Sequence, residues 1–206
     1  MGFNHLRLID PCDHLDEEAL MMAHGSRDIL QHATLFDTFP EATADLDMVV
    51  ASTAKERSAK HEYHSVRELG RIIQEKSSLL GKVGILFGTE ESGLPNELIM
   101  KSDLAMTIPM AAGYPSLNLS QSVMITAYEL AFLNPLSRPG GSKPKSGEGF
   151  RELNRQARHL LIEAGIPEGT PLYHRIMERL ALAGPVDIPL LLSVISRINK
   201  SSFHSE

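Results

Sequence analysis

The sequence predicts an α/β chain, a parallel sheet with helices on its faces, followed by a helical extension. Three observations carry this. Short apolar runs at 5–9, 48–51, 83–87 and 105–108 alternate with helical patterns, as parallel strands joined by crossover helices do. Residues 134–149, NPLSRPGGSKPKSGEG, are dense in Pro, Gly and Ser, lack apolar periodicity and read as a linker. Three short amphipathic segments follow, at 152–164, 172–182 and 188–198. The expected organisation is an α/β domain over 1–133, the linker over 134–149 and a helical extension over 150–206.

Taken in order, the first run ends at Asp10-Pro11, which stops a strand. Asp13, Asp16, Glu17 and Glu18 then form an acidic run suited to a helix start, where negative charge complements the dipole. The runs at 48–51 and 83–87 are continuously apolar, the pattern of strands buried on both faces. Between them, Ser65-x-x-Glu68 is a capping box, with Val66, Leu69, Ile72 and Ile73 following at helical spacing. Pro95 suits the first turn of a short helix through Met100. Asn118-x-x-Gln121 is a second box-like start, ahead of Leu119, Val123, Ala127 and Leu130 on one helical face.

Composition excludes several classes. The 206 residues are 42% hydrophobic and 22% charged, which excludes disorder and collagen-like repeats. No stretch reaches the roughly 18 apolar residues of a membrane span, and the N-terminal residues carry no secretory pattern. A cytoplasmic protein is expected. The single cysteine, Cys12, excludes an internal disulfide and a cysteine zinc site, and His61 and His64 lack a third ligand, so no metal is expected. The net charge is −6, but residues 134–160 carry Arg138, Lys143, Lys145, Arg151, Arg155 and Arg158 against Glu148 and Glu152. That excess suits phosphate contact or, more commonly, a solvated linker and helix face.

The chemistry concentrates in 85–120, ILFGTEESGLPNELIMKSDLAMTIPMAAGYPSLNLS. Gly88 directly follows a strand, where a missing side chain lets a ligand approach the backbone at the carboxyl end of a parallel sheet. A second strand ends at Ile108-Pro109-Met110, then a flexible apolar loop leads to the polar cap Ser116-Leu117-Asn118. Two loops leaving neighbouring strand ends beside a helix N-terminus suit a planar base with a polar tail. Each feature alone reads equally as a turn or a cap; the ordered combination is more specific. No GxGxxG or GxxxxGK[ST] phosphate loop occurs.

FGTEESGL (87–94), IPM (108–110) and SLNLSQSV (116–123) resemble the second and third motifs of the SpoU-type RNA ribose 2′-O-methyltransferases of the SPOUT superfamily. The resemblance spans 1–133, extends more loosely into the helical tail, and is nearest to the TrmJ/LasT branch. It implies a trefoil-knotted α/β domain, a homodimer, S-adenosyl-L-methionine as methyl donor, and tRNA or rRNA as substrate, with neither membrane nor DNA as partner. By the same resemblance, Ser52, Thr53 and Ala54 form the first cofactor loop, joined by Gly88, Ile108, Pro115, Ser116 and Leu117. Glu90 and Asn118 match polar positions linked to binding and catalysis, and Arg57 an arginine often found after the first cofactor loop. Lys55 stands where relatives often carry another arginine.

Relatives of this type open with a further strand and an Asn-x-Gly-x-x-x-Arg segment whose arginine is the proposed catalytic group. Met1-Gly2-Phe3 resembles the point just after it. A misassigned start is the favoured explanation, ahead of a deliberately shortened chain or a degraded paralogue, and a version carrying the upstream residues is expected to be more stable. Two further readings stay open: a non-catalytic RNA- or cofactor-binding paralogue, and a different α/β nucleotide-binding enzyme.

Overall fold

The computed structural model describes residues 1–60, 62–111, 117–133 and 148–202. Pro115, Ser116 and the expected linker up to residue 147, with its Arg138, Lys143 and Lys145, lie outside the described residues. The chain forms two compact units, Met1–Asp45 and Leu46–Glu206.

In the first unit, β1 (Arg7–Ile9) and β2 (Thr34–Phe36) pair in parallel, Leu8 opposite Leu35. The crossover between them holds α1 (Glu17–Ala23) and α2 (Arg27–Gln31). The acidic run starts α1 as expected: Asp16 caps it, accepting from the Ala19 N–H at 2.7 Å, with Glu17 and Glu18 in the first turn. A capping box escaped the sequence reading at α3 (Phe39–Thr43), where Thr38 and Glu41 exchange bonds. Arg7 closes the unit with a two-pronged grip on Asp45, at 2.5 and 3.0 Å, and a bond to the Ala42 carbonyl at 2.6 Å. The Asp45 carboxylate raises the Arg7 pKa.

The second unit carries a four-stranded parallel sheet of β3 (Met48–Ser52), β4 (His64–Ser65), β5 (Val83–Leu86) and β6 (Leu104–Thr107) in the order β4-β6-β3-β5. β3 is buried along Met48–Ala51, as its apolar run requires, but the equally apolar β5 is only half-buried, because it lies at the sheet edge with a strand on one side alone. Two-residue β4 was invisible to periodicity because it is too short to show one. Both capping boxes form. Ser65 Oγ accepts from the Glu68 N–H at 3.2 Å at the start of α4 (Val66–Glu75), and Asn118 Oδ1 from the Gln121 N–H at 3.2 Å at the start of α6 (Leu119–Leu130). Between β5 and β6 lies α5 (Asn96–Lys101), with Pro95 at its N-cap rather than inside its first turn.

Three helices follow: α7 (Glu148–Glu163), α8 (Pro171–Ala181) and α9 (Asp187–Ser202). They share the sheet's core. Phe150, Leu153 and Ala157 of α7, Ala181 of α8, and Ile188 and Ile195 of α9 join Met48, Val50, Leu69, Leu104 and Met106 in one buried cluster. The spacing 150, 153, 157 is the stripe a helix lays on such a surface. Asp47, 4% exposed at the foot of β3, fastens this layer. Its Oδ2 accepts from the Gly81 and Lys82 N–H groups at 2.6 and 2.7 Å, and Arg151 Nε lies 2.6 Å from its Oδ1. No helix among the described residues is long and apolar enough to cross a membrane.

Candidate functional site

Because β3, β5 and β6 run in parallel, their carboxyl ends open at one edge of the sheet, where α/β proteins bind ligands. Register sets the exits side by side. Ala51 faces Leu86 and Ser52 faces Met106, so Gly88 and Ile108 each lie two residues beyond a paired position.

The first loop leaves β3 at half-buried Ser52. Thr53, 8% exposed, is fixed from both sides. Its N–H donates to the Met106 carbonyl at 3.0 Å, and its Oγ1 donates to the Lys55 carbonyl at 3.0 Å. Ala54 follows on the exposed side.

The second loop leaves β5 through Phe87 and Gly88 and turns tightly at 89–93. The Gly93 N–H donates to the Thr89 carbonyl at 2.9 Å, and Gly93 adopts φ of +68°, which favours glycine. Glu90 sits at the exposed tip. Gly88 is required by the loop itself. A Cβ there would lie 2.1 Å from Gly93 C and 2.3 Å from Leu94 N, where the loop's own backbone returns.

The third loop leaves β6 at half-buried Ile108, which packs against the main core. Beyond the undescribed residues, half-buried Leu117 and exposed Asn118 lead into α6. Asn118 Oδ1 accepts from the Gln121 N–H and, at 2.7 Å, from the Ser120 hydroxyl. Both bonds use the amide oxygen alone.

Arg57 links the first two loops. Its Nη1 donates to the Leu94 carbonyl at 3.0 Å and to Asn96 Oδ1 at 3.1 Å. The structure therefore brings Ser52, Thr53, Gly88 and Ile108 to one edge and ties Arg57 to the loop beyond Gly88. Sequence reasoning missed Tyr63 and Asn96, which complete that tie. Neither belongs to a motif, and no one-dimensional signal marks them.

The basic residues of α7 favour the commoner of the two readings, an ordinary helix face, over phosphate contact. Arg151 is spent on Asp47. Arg155 grips Glu152 at 2.6 and 2.9 Å, holding that carboxyl down at about 2, chiefly through these hydrogen bonds. Arg158 donates to the Tyr173 hydroxyl at 3.2 Å and lies 3.6 Å from Glu168. The helix face that looks cationic in sequence is largely paired, Arg151 and Arg158 with partners from other elements and Arg155 with Glu152 on its own helix.

At the opposite end of β6, before Leu104, a cavity of about 170 Å³ is lined by Lys60, Asp103, Arg158, Glu168 and His174 among others. Burial lowers the Lys60 pKa and raises that of Asp103. The Lys60 ammonium donates to the Ser102 carbonyl at 2.6 Å and lies 3.6 Å from Glu178. Its charges compensate one another, as in a structural cluster.

The family model described as the SpoU rRNA Methylase family matches residues 1–128. Over 202 residues, 98% of this chain and 88% of the relative, the sequence is 35% identical to an Escherichia coli protein named as an uncharacterised tRNA/rRNA methyltransferase, LasT. Over 132 residues, 63% of this chain and 56% of the relative, it is 39% identical to the tRNA (cytidine-2′-O-)-methyltransferase TrmJ of Methanocaldococcus jannaschii. The crystal structure of TrmJ from Z. mobilis superposes with a TM-score of 0.64 at 26% identity, covering 96% of this chain and 88% of that one.

Proposed function

Since the chain belongs to the SpoU rRNA methylase family, we propose that it transfers a methyl group from S-adenosyl-L-methionine to a ribose 2′-hydroxyl of tRNA or, as second choice, rRNA, in the cytoplasm. The observation that carries the reading is the convergence of the Ser52, Gly88 and Ile108 exits at one sheet edge. The residues there fit the donor. Apolar Ile108 and Leu117 suit the faces of a purine, while backbone groups around Ser52–Ala54 and Gly88 suit its edges and the ribose. Pro115 and Ser116 complete the proposed set. The trefoil knot is the topology this family implies.

When bound, S-adenosylmethionine supplies an electrophilic methyl group on a sulfonium. The chain's own task is then alignment, exclusion of water and proton removal. Holding nucleophile and electrophile in line is worth up to about 7–11 kcal/mol in favourable systems. The ribose hydroxyl is a poor acid, so its proton must leave as the oxygen–carbon bond forms. Glu90, at the solvent-facing tip of the second loop, is the proposed acceptor, and the amide nitrogen of Asn118 the proposed orienting donor.

A second copy of the chain is the proposed partner of α6. Val123, Met124 (54% exposed) and Tyr128 (71% exposed) are exposed on α6, apolar surface a monomer leaves in water. The decisive experiment is incorporation of labelled methyl into bulk tRNA and rRNA, with sedimentation of wild type and Met124→Glu alongside. Incorporation that survives mild alkaline hydrolysis of the RNA backbone as an uncleaved 2′-O-methyl dinucleotide supports the reading. Saturable binding of S-adenosylhomocysteine without incorporation supports a non-catalytic paralogue.

A further inference from the structure

The Tyr63 hydroxyl makes two bonds to the backbone of one residue. It accepts from the Arg57 N–H at 3.0 Å and donates to the Arg57 carbonyl at 2.8 Å. Its ring packs with Ala51, Leu94 and Ile99 in a small second core beneath the first loop. Tyr63 thus pins the Arg57 backbone from one side. On the other side, the Arg57 guanidinium reaches Leu94 and Asn96, with Nη2 over Gly93, 3.7 Å from where a Cβ would lie. Leu94 N and Gly93 C are the very atoms that crowd Gly88. A continuous chain of contacts therefore runs from the Tyr63 phenol through Arg57 to the backbone over Gly88.

From this geometry we propose that Tyr63 is a positioning residue. Through Arg57, it locks the loop after Ser52 and the loop after Gly88 into one preformed wall of the cofactor site. The inference rests on the proposed function for its ligand, but the brace belongs to the chain itself. Thr53 is pinned separately to β6 through Met106, so the first loop is held at its root and, ten residues on, at Tyr63. Without the phenol, the Arg57 backbone loses both bonds, and the guanidinium must be held by its own rotamers, at an entropic cost. Preorganisation of this kind raises affinity by removing ordering costs from the binding step.

The test uses Tyr63→Phe, which keeps the ring and its packing, with Asn96→Ala and Arg57→Lys as variants outside the core. S-adenosylhomocysteine affinity is measured by titration calorimetry, KM for S-adenosylmethionine and for RNA separately, and backbone amide exchange residue by residue. Tyr63→Phe is expected to weaken the homocysteine analogue about tenfold, as net hydrogen-bond values predict for two lost bonds. KM for the methyl donor is expected to rise by a similar factor, with kcat and KM for RNA within about twofold. The Arg57 and Gly93 amides are both expected to exchange faster, since one brace holds both loops. Affinity within twofold of wild type in a folded Tyr63→Phe protein overturns the proposal. Should that variant fail to fold, unchanged affinity in Arg57→Lys overturns it, and a loss of about tenfold supports it. If folded wild type binds no homocysteine analogue, the proposed function fails. The brace is then judged by exchange alone: faster exchange in both loops supports it, and faster exchange at Arg57 only overturns it.

Discussion

Replacing Gly88 by alanine adds one methyl group at the point where the second loop folds back on itself. The added carbon would lie 2.1, 2.3 and 2.4 Å from Gly93 C, Leu94 N and Gly93 O. Contact between such atoms is comfortable near 3.5–4.0 Å, so the backbone must retreat by more than about 1 Å. No flexible side-chain tip can absorb this, because all three atoms are main chain. The Leu94 carbonyl that takes the Arg57 guanidinium must move with them. Overpacking of this kind costs about 1–3 kcal/mol, and the loosened Arg57 bond adds about 1. For a chain of this size that is a Tm lowered by roughly 4–16 °C. Displacement of a site wall by about 1 Å costs about a hundredfold in rate. Scanning calorimetry and the rate of labelled-methyl incorporation measure the two effects, with Gly25→Ala as control, since nothing lies within 4 Å of its added carbon. A Gly88→Ala protein with wild-type Tm and rate would refute the reasoning.

Arg151→Ala leaves Asp47, with its side chain 1% exposed, held only by the Gly81 and Lys82 amides. Urea unfolding is expected to show a loss of about 1–3 kcal/mol, partly restored in Arg151→Lys. Lys76 is 3% exposed, donates to the Ala183 carbonyl and lies 5.4 Å from the Phe150 ring centroid. Burial pushes its pKa down to about 8 from 10.5. Between those values the unfolded chain holds the extra proton, so this group's contribution to stability rises with pH across pH 8–10.5 and is least favourable below 8. Chemical denaturation from pH 7 to 10 is expected to show that rise in wild type and a flatter profile in Lys76→Met. Asn118→Asp keeps the oxygen that caps α6 and removes the amide N–H groups, so stability should stay within about 0.5 kcal/mol of wild type. Methyl incorporation should nonetheless fall at least tenfold, and equal incorporation would confine Asn118 to capping.

The sequence by itself determined what depends on neighbours within a turn or two of chain. The continuous apolar run at 48–51 became the buried strand β3, and Ser65/Glu68 and Asn118/Gln121 closed as capping boxes. Such features follow from 2.0- and 3.6-residue periodicity and from bonds three residues apart, so they survive without knowledge of the fold. That Gly88 must be glycine was also legible, because the motif order exposes it. What crowds it was not. The tertiary structure alone decided that Gly93 and Leu94 fill that space, that Arg57 reaches across 37 residues to Leu94, and that Arg151 is drawn onto Asp47. It alone placed Phe150, Leu153 and Ile188 in the core of the sheet. The reason is physical: a guanidinium or an apolar stripe carries no address. Its partner is whichever carbonyl, carboxylate or core surface the path of the strands and crossovers brings within reach.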